Sequence, residues 1–437
     1  VLGRRQPVTL ATLGPTTLPP PNGVTLQSYG DPDATDDERG RALAGLIAAH
    51  DVVVAQHLPY LYTDPDILAS RYLVVDLYAP WIVEKLEHAR SDPEHGEPNR
   101  KDDVAILSRL LALGDFFICA SERQRDFWLG ALALAGRLDL AHAQANPALR
   151  TLIDVVPFGM PETPPVRGGS GPRDTIPGIT ADSRVILWNG GIWNWLDPIT
   201  AIRAMTIRAR HEPRARLIFM GTRSPVAQML EMSIVEQARD LARELGLLDR
   251  VVFFNDWVPY DERQSWLLDA DVGVSLHQET LEARYAFRTR MLDNLWCSLP
   301  IVATRGDVLA DLIESASIGI TVPPGDVEAT AGALLSALEP ERNTHFRRAI
   351  AAVAPRSTGE EVSRPLLAYC SAPGRPGTAR GPDPAASYVH QLERTYAETA
   401  AYARHLERVV ADQQAALEAG VLPRVQRALD RATRIVR

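Results

Sequence analysis

Arg288, Arg290 and Asp293 stand close together in a stretch, residues 272–304, that reads VGVSLHQETLEARYAFRTRMLDNLWCSLPIVAT. Arginine presents a planar fork of N–H donors that suits a diphosphate. A carboxylate one turn further along the same helix face would accept ribose hydroxyls. The surrounding pattern says where these groups sit. Val272, Val274 and Leu276 alternate as a half-buried strand does, and residues 299–303 are a short apolar run bounded by turn signals. The expected order is strand, polar loop, a helix carrying Arg288, Arg290 and Asp293, then strand. Ligands of open α/β sheets bind in loops that leave the carboxyl ends of strands. Backbone N–H groups and the helix dipole favour an anion there. The chemistry expected of this stretch is the binding of a nucleotide diphosphate.

Other strand ends add to it. Residues 184–189 read as a strand that runs into Gly190 and Gly191, and Asp197 caps a helix whose first residue is Pro198. The two glycines would let backbone approach a phosphate, with a plain tight turn as the alternative. Trp193 and Trp195 are expected either as a wall over the nucleotide or sugar or as packing between domains. Gly221 ends the strand at 215–220. Trp257 and Val258 follow the strand at 251–254, where they would meet the base, Val258 through its main chain.

Composition narrows the setting. A chain of 437 residues is too long for one core, so two domains are the default. A net charge of −9 and a pI near 5.6 exclude a nucleic-acid binder, which needs a basic face. No run of 18 apolar residues spans a membrane and no signal peptide opens the chain, so a cytoplasmic place is expected. Cys119, Cys297 and Cys370 read as small hydrophobes in a reducing compartment. Lysine occurs only as Lys85 and Lys101. Any cation at the central stretch must therefore be arginine.

Apolar strands alternate with helices from residue 8 to about 155 and again from 184 to 322, which implies parallel sheets covered on both faces. The Pro- and Gly-rich residues 161–181 separate the two runs. The expected units are an N-terminal Rossmann-like domain over 1–160, a linker over 161–181 and a C-terminal Rossmann-like domain over 182–355. Residues 356–437 then form a return segment, a Pro/Gly linker and a helical tail. No strand and Gly-rich turn precede the strand at residue 8, so the first βα unit is expected to be missing. From residue 388 apolar positions recur at 3–4 spacing, as in a coiled coil or a long packed helix. The last residues, VLPRVQRALDRATRIVR, form a basic amphipathic helix, either solvated or lying on an anionic membrane face.

These residues resemble a family. The two α/β halves, the Gly190-Gly191 turn, and a carboxylate six residues before Leu299-Pro300-Ile301-Val302 look like the GT-B fold, more narrowly family 4 (group 1 type) glycosyltransferases. The resemblance covers residues 8–370 and is strongest over 184–330. It implies two Rossmann-like domains facing a cleft and a retaining enzyme that uses a nucleotide-diphospho-sugar. The chain departs from the family in places. The second Glu of the family's Glu, seven residues, Glu motif falls at Asp293. The first falls at Tyr285, with Glu282 the nearest substitute. The family's Arg and Lys after the Gly turn have no counterpart, which leaves Arg288 and Arg290, with Arg223 or Arg284, to hold the diphosphate.

Around the cleft, Asp76 is placed as an acceptor-side acid or base, with capping of the turn before Pro80 as its rival role. His277 is placed near the donor sugar, or as a satisfied loop histidine. His57 lies at a strand end nearby, and Ser121 is expected to cap a helix whose Glu122 could meet the acceptor. The sequence thus points to transfer of a sugar from a UDP- or GDP-sugar to an acceptor hydroxyl, with the diphosphate held by arginine and no cofactor or metal required. The acceptor, a glycan, lipid-linked or small molecule, stays open between polysaccharide and natural-product biosynthesis. Two other readings stand beside it: a nucleotide-sugar 2-epimerase of the same fold, and an inactive GT-B binding or scaffold protein working through its helical tail by self-association or peripheral contact with the inner membrane face.

Overall fold

The structure, a computed structural model, describes residues 1–375 other than 15, 17, 18, 32, 33, 57–66, 69, 79, 92–99 and 224–231, together with 395, 399, 402, 406 and 408–410. His57 and almost all of the expected helical tail lie outside the described residues. Among the described residues no helix is long and apolar enough to cross a membrane.

The second α/β run folds as expected. Six parallel strands, β7 (Arg184–Trp188), β8 (Ala215–Phe219), β9 (Val252–Phe254), β10 (Val272–Ser275), β11 (Ile301–Thr304) and β12 (Gly319–Val322), form one sheet in the order β12-β11-β10-β7-β8-β9. Chain direction across the sheet reverses between β7 and β10, which makes their carboxyl ends the switch point where such sheets bind ligands. Continuous apolar runs are buried on both faces here: β10 and β11 have every residue buried. Trp188, Leu217, Phe219, Val274 and Val302 pack one face with helix Val327–Leu338. Val185, Leu187, Ile218 and Phe253 pack the other with helix Arg263–Leu268. Helix starts follow their caps: Asp307 and Asp326 accept from the backbone N–H of Ala310 and Ala329, at 2.7 and 2.8 Å.

The first run gives a four-stranded parallel sheet, β3 (Val52–Ala55), β4 (Tyr72–Asp76), β5 (Phe116–Cys119) and β6 (Ile153–Val155), in chain order. The strands at β1 (Val8–Thr12) and β2 (Val24–Ser28) pair in parallel as a separate two-stranded sheet, Val8 opposite Val24. Thr35 starts helix Asp36–Ala48 with a full capping box to Glu38. Ser121 caps helix Glu122–Leu134 through Gln124 N–H at 3.1 Å.

The chain then crosses back. Met160 pairs with Thr358, and a side chain on Gly159 would run into the Gly359 backbone, so close strand approach requires glycine there. Helix Arg364–Ser371 returns to the first sheet, where Leu366 joins Val74, Phe116 and Ile118 in one cluster. Tyr369 stacks on Phe116 with centroids 4.5 Å apart.

One element differs from expectation. The helix expected to carry Arg288, Arg290 and Asp293 is two short helices, Leu281–Tyr285, capped by Thr280, and Arg290–Trp296. Ala286 between them is extended (ψ 139°). Arg288 therefore sits in the connection and Arg290 opens the second helix.

Candidate active site

A cleft of about 140 Å³ lies between the two sheets' carboxyl ends, lined from one side by Tyr78, Pro80, Glu84 and Gln124 and from the other by Trp193, Trp195, Glu282 and residues 286–290. The walls are tied together. Tyr78 Oη donates to the Phe287 carbonyl at 3.0 Å and Gln124 Nε2 to the Tyr285 carbonyl at 2.8 Å. Arg123 donates to the Gly306 carbonyl at 2.6 Å and pairs with Asp311.

The loops after β7 and β10 are fixed to one another. Leu196 and His277 form an antiparallel bridge, Gln278 N donates to the Trp195 carbonyl at 3.1 Å, and Asp197 N to the Leu276 carbonyl at 3.0 Å. This holds Trp193 and Trp195 in parallel stack, 5.4 Å between centroids, as one wall of the cleft. Gly190 has φ 113°, a conformation that disfavours any side chain. Asn189, fully buried, donates through Nδ2 to the Arg290 carbonyl at 2.7 Å and so sets the start of helix Arg290–Trp296 against the Gly190 turn.

Arg290 is one of the groups of the site that its surroundings do not fully satisfy. Its guanidinium lies against Gly190 and 5.8 Å from the Trp188 ring centroid. Nη1 is buried without a hydrogen-bond partner. Burial, and after it the like charge of Arg288, push its pKa down to about 9 against the pull of Glu282, so it stays charged near neutrality with one terminal nitrogen unpaired.

Arg288, expected beside it as a phosphate ligand, is committed elsewhere. Nη1 and Nη2 donate to Glu282 Oε1 and Oε2 at 2.8 and 2.7 Å, a bidentate pair with both residues buried. The structure corrects the expectation of two free arginine forks: Glu282 and Arg288 satisfy each other, and Arg290 carries the open charge. Arg223 and Arg284 are exposed and do not line the cleft.

Asp293 also has a partner. Arg263 Nε donates to its two oxygens at 3.2 and 3.3 Å, and Arg263 stacks on Tyr260, 3.6 Å from the ring centroid. Burial raises the Asp293 pKa, opposed by Arg263. Gly221 and Trp257 meet at the ends of β8 and β9, with half-exposed Trp257 over Gly221, whereas the Val258 side chain is core. Asp293, Gly221, Trp257 and Val258 thus lie outside the residues that line the cleft.

Asp76 accepts a hydrogen bond from Tyr78 N at 2.9 Å, the turn-capping role, and does not line the cleft. Burial raises its pKa. His277 is fully buried: Nδ1 donates to the Gln278 carbonyl at 3.0 Å, which leaves Nε2 3.7 Å from Asp307 Oδ2. Burial, then Arg288, lower its pKa. Glu122 pairs with Arg150 at 2.7 Å.

Sequence reasoning missed Glu84, on helix Trp81–Ser91, and Asp307. Burial, then the charge of Glu282, raise the Glu84 pKa. No local pattern marks Glu84, because its neighbours across the cleft come from residues about two hundred positions later. Asp307 was legible as the acid just before a helix.

This arrangement, two Rossmann-like domains with the ligand end of the second facing the first, is the GT-B fold. Residues 183–340 match the family described as Glycosyl transferases group 1. A D-inositol 3-phosphate glycosyltransferase of Saccharomonospora viridis is 28% identical over 193 residues, 44% of this chain and 43% of that protein. The chain thus matches less than half the length of this curated relative. Among solved structures, Anabaena HepE in complex with UDP and glucose superposes with TM-score 0.55 at 16% identity, covering 80% of this chain and 87% of HepE. Sucrose-phosphate synthase from Thermosynechococcus elongatus gives 0.55 at 15% over 83% and 97%. WaaG, a glycosyltransferase involved in lipopolysaccharide biosynthesis, gives 0.53 at 16% over 85% and 92%.

Proposed function

We propose that the chain is a glycosyltransferase that moves a sugar from a nucleotide-diphospho-sugar to an acceptor hydroxyl. The observation that carries the proposal is the buried, unpartnered Nη1 of Arg290 beside the positive-φ Gly190 turn at the sheet's switch point. A diphosphate would accept from that nitrogen and from backbone that no side chain crowds. The group 1 match over the same domain and the UDP and UDP-glucose bound to HepE support the donor class. Charge develops on the departing diphosphate as its bond to the sugar breaks, and a preorganised guanidinium in a partly dry cleft stabilises that charge most. Trp193 and Trp195 form the wall on which the donor rests. In this reading the reaction retains configuration and needs no metal, as in the family the sequence resembles.

The inactive binding-protein reading is favoured by one observation: Arg288 and Asp293 already hold partners in the fold. Calorimetric titration with UDP, GDP and their common sugar conjugates separates the readings. Saturable binding lost in Arg290→Ala, with slow release of the nucleoside diphosphate from the sugar conjugate by wild type, is the expected result. Binding without any turnover supports the scaffold reading, and no binding of any nucleotide rejects the glycosyltransferase.

A further inference from the structure

The charges of the cleft divide by domain. Both cations that line it, Arg288 and Arg290, come from the second domain, and Glu282 neutralises Arg288. The described residues of the first domain that line it are Tyr78, Pro80, Glu84 and Gln124, and among them Glu84 carries the charge. Glu84 faces Glu282, Arg288 and the Tyr78 phenol, whose own pKa burial and Glu84 push up to about 12.

The cations near this wall whose side chains are described are engaged. Lys85, the next residue, pairs with Asp103. Arg123 is bound to Gly306 and Asp311 across the cleft's rim. Arg125 donates to the carbonyls of Ile153 and Ala148, and Arg150 pairs with Glu122 and Asp154. From residue 52 to residue 84 the sequence holds one Lys or Arg, Arg71, and that residue donates to the Ala48 carbonyl at the amino end of β4. Among the described residues of the first domain's wall, none can neutralise a second phosphate.

We infer that the acceptor is an uncharged or ammonium-bearing polyol, not a phosphorylated one, and that Glu84 receives a hydrogen bond from it. This rests on the reading that the cleft joins a nucleotide-sugar donor to an acceptor. A dianion on this wall would meet the Glu84 carboxylate and find no cation among the described lining residues of the first domain, whereas a hydroxyl or ammonium donor finds a largely desolvated carboxylate. The donor's charge is met by the opposite wall, so the cleft sorts its two substrates by charge.

The test uses three matched probes, glycerol, glycerol 3-phosphate and 2-amino-1,3-propanediol. Their effect on nucleoside diphosphate release is measured with whichever UDP- or GDP-sugar binds. Wild type should use or be competed by glycerol and the amino diol at least about tenfold better than by glycerol 3-phosphate. Glu84→Gln should erase the advantage of the amino diol, and Glu84→Arg should place the phosphorylated probe first. Donor affinity should persist in both variants, which also shows that they fold. A wild-type preference for glycerol 3-phosphate, an order unchanged in both variants, or a rate that no probe alters overturns the inference while leaving the donor reading intact. Failure to bind any nucleotide overturns both.

Discussion

Glu282 takes both terminal nitrogens of Arg288, at 2.8 and 2.7 Å, within the wall of the cleft and out of reach of water. Breaking such a pair strands a charge, at about 3–5 kcal/mol, whereas removing both partners costs much less. We therefore expect Glu282→Ala and Arg288→Ala each to lower unfolding free energy by about 3 kcal/mol, and the double variant to lower it by less than the sum. Urea melts of the four proteins measure the coupling. Additive effects would show that the two residues act separately.

Arg290 should behave in the opposite way. Its charge is desolvated and unpaired, so replacing it by Met should raise the stability of the free protein by about 1 kcal/mol. On the proposed function, nucleotide should raise the melting temperature of wild type, and the same change should abolish that rise. Thermal melts with and without UDP or GDP check both halves. A free Met variant less stable than wild type would mean that the guanidinium is satisfied where it stands.

The contrast between these two arginines marks what the sequence could show. Strands β3 to β12 were legible because buried parallel strands read as apolar runs and their ends carry turn residues. The Gly190 turn and the caps at Thr35, Ser121 and Asp197 were legible because capping is local chemistry. The partners of Arg288 and Asp293 were not. Arg288 meets Glu282 only because the chain turns extended at Ala286, and Asp293 meets Arg263 thirty residues earlier through packing of two helices. Glu84 enters the cleft only once two domains meet. Those pairings are set by tertiary geometry, which no spacing records.

Asp307 and His277 give a pH dependence with two limbs. Asp307 is fully buried, and burial raises its pKa from the ordinary 3.8 to about 6, against the pull of Arg288. Burial makes the fold prefer the protonated acid. That contribution is fully present below about 3.8 and is lost as pH rises through about 6. His277, lowered below 6.5, contributes in the other sense: its share is present above 6.5 and is lost as pH falls through the folded value. Asp307→Asn keeps the cap on Ala310 and removes the ionisation. It should gain up to about 3 kcal/mol at pH 7.5 and far less at pH 4.5. Melts across that range decide, and an equal effect at both ends would place the Asp307 ionisation elsewhere.

The return helix offers the last test, because it fixes which parts of the chain fold together. Tyr369 stacks on Phe116, Leu366 closes the cluster over Val74 and Ile118, and Arg375 donates to buried Asp115 at 2.7 Å. The first domain's sheet is thus covered on one side by residues that follow the second domain. Tyr369→Ala should remove about 2–4 kcal/mol through lost burial and stacking, and Leu366→Ala about 2–3. The location of the loss is more telling than its size. Hydrogen exchange should rise in β4 and β5 of the Tyr369 variant while β10 and β11 keep their protection. If only the helix itself exchanged faster, the first domain would hold its core without the returning chain. The expected result instead makes the stability of the first domain's cleft wall, with Glu84 on it, depend on a segment nearly three hundred residues further along.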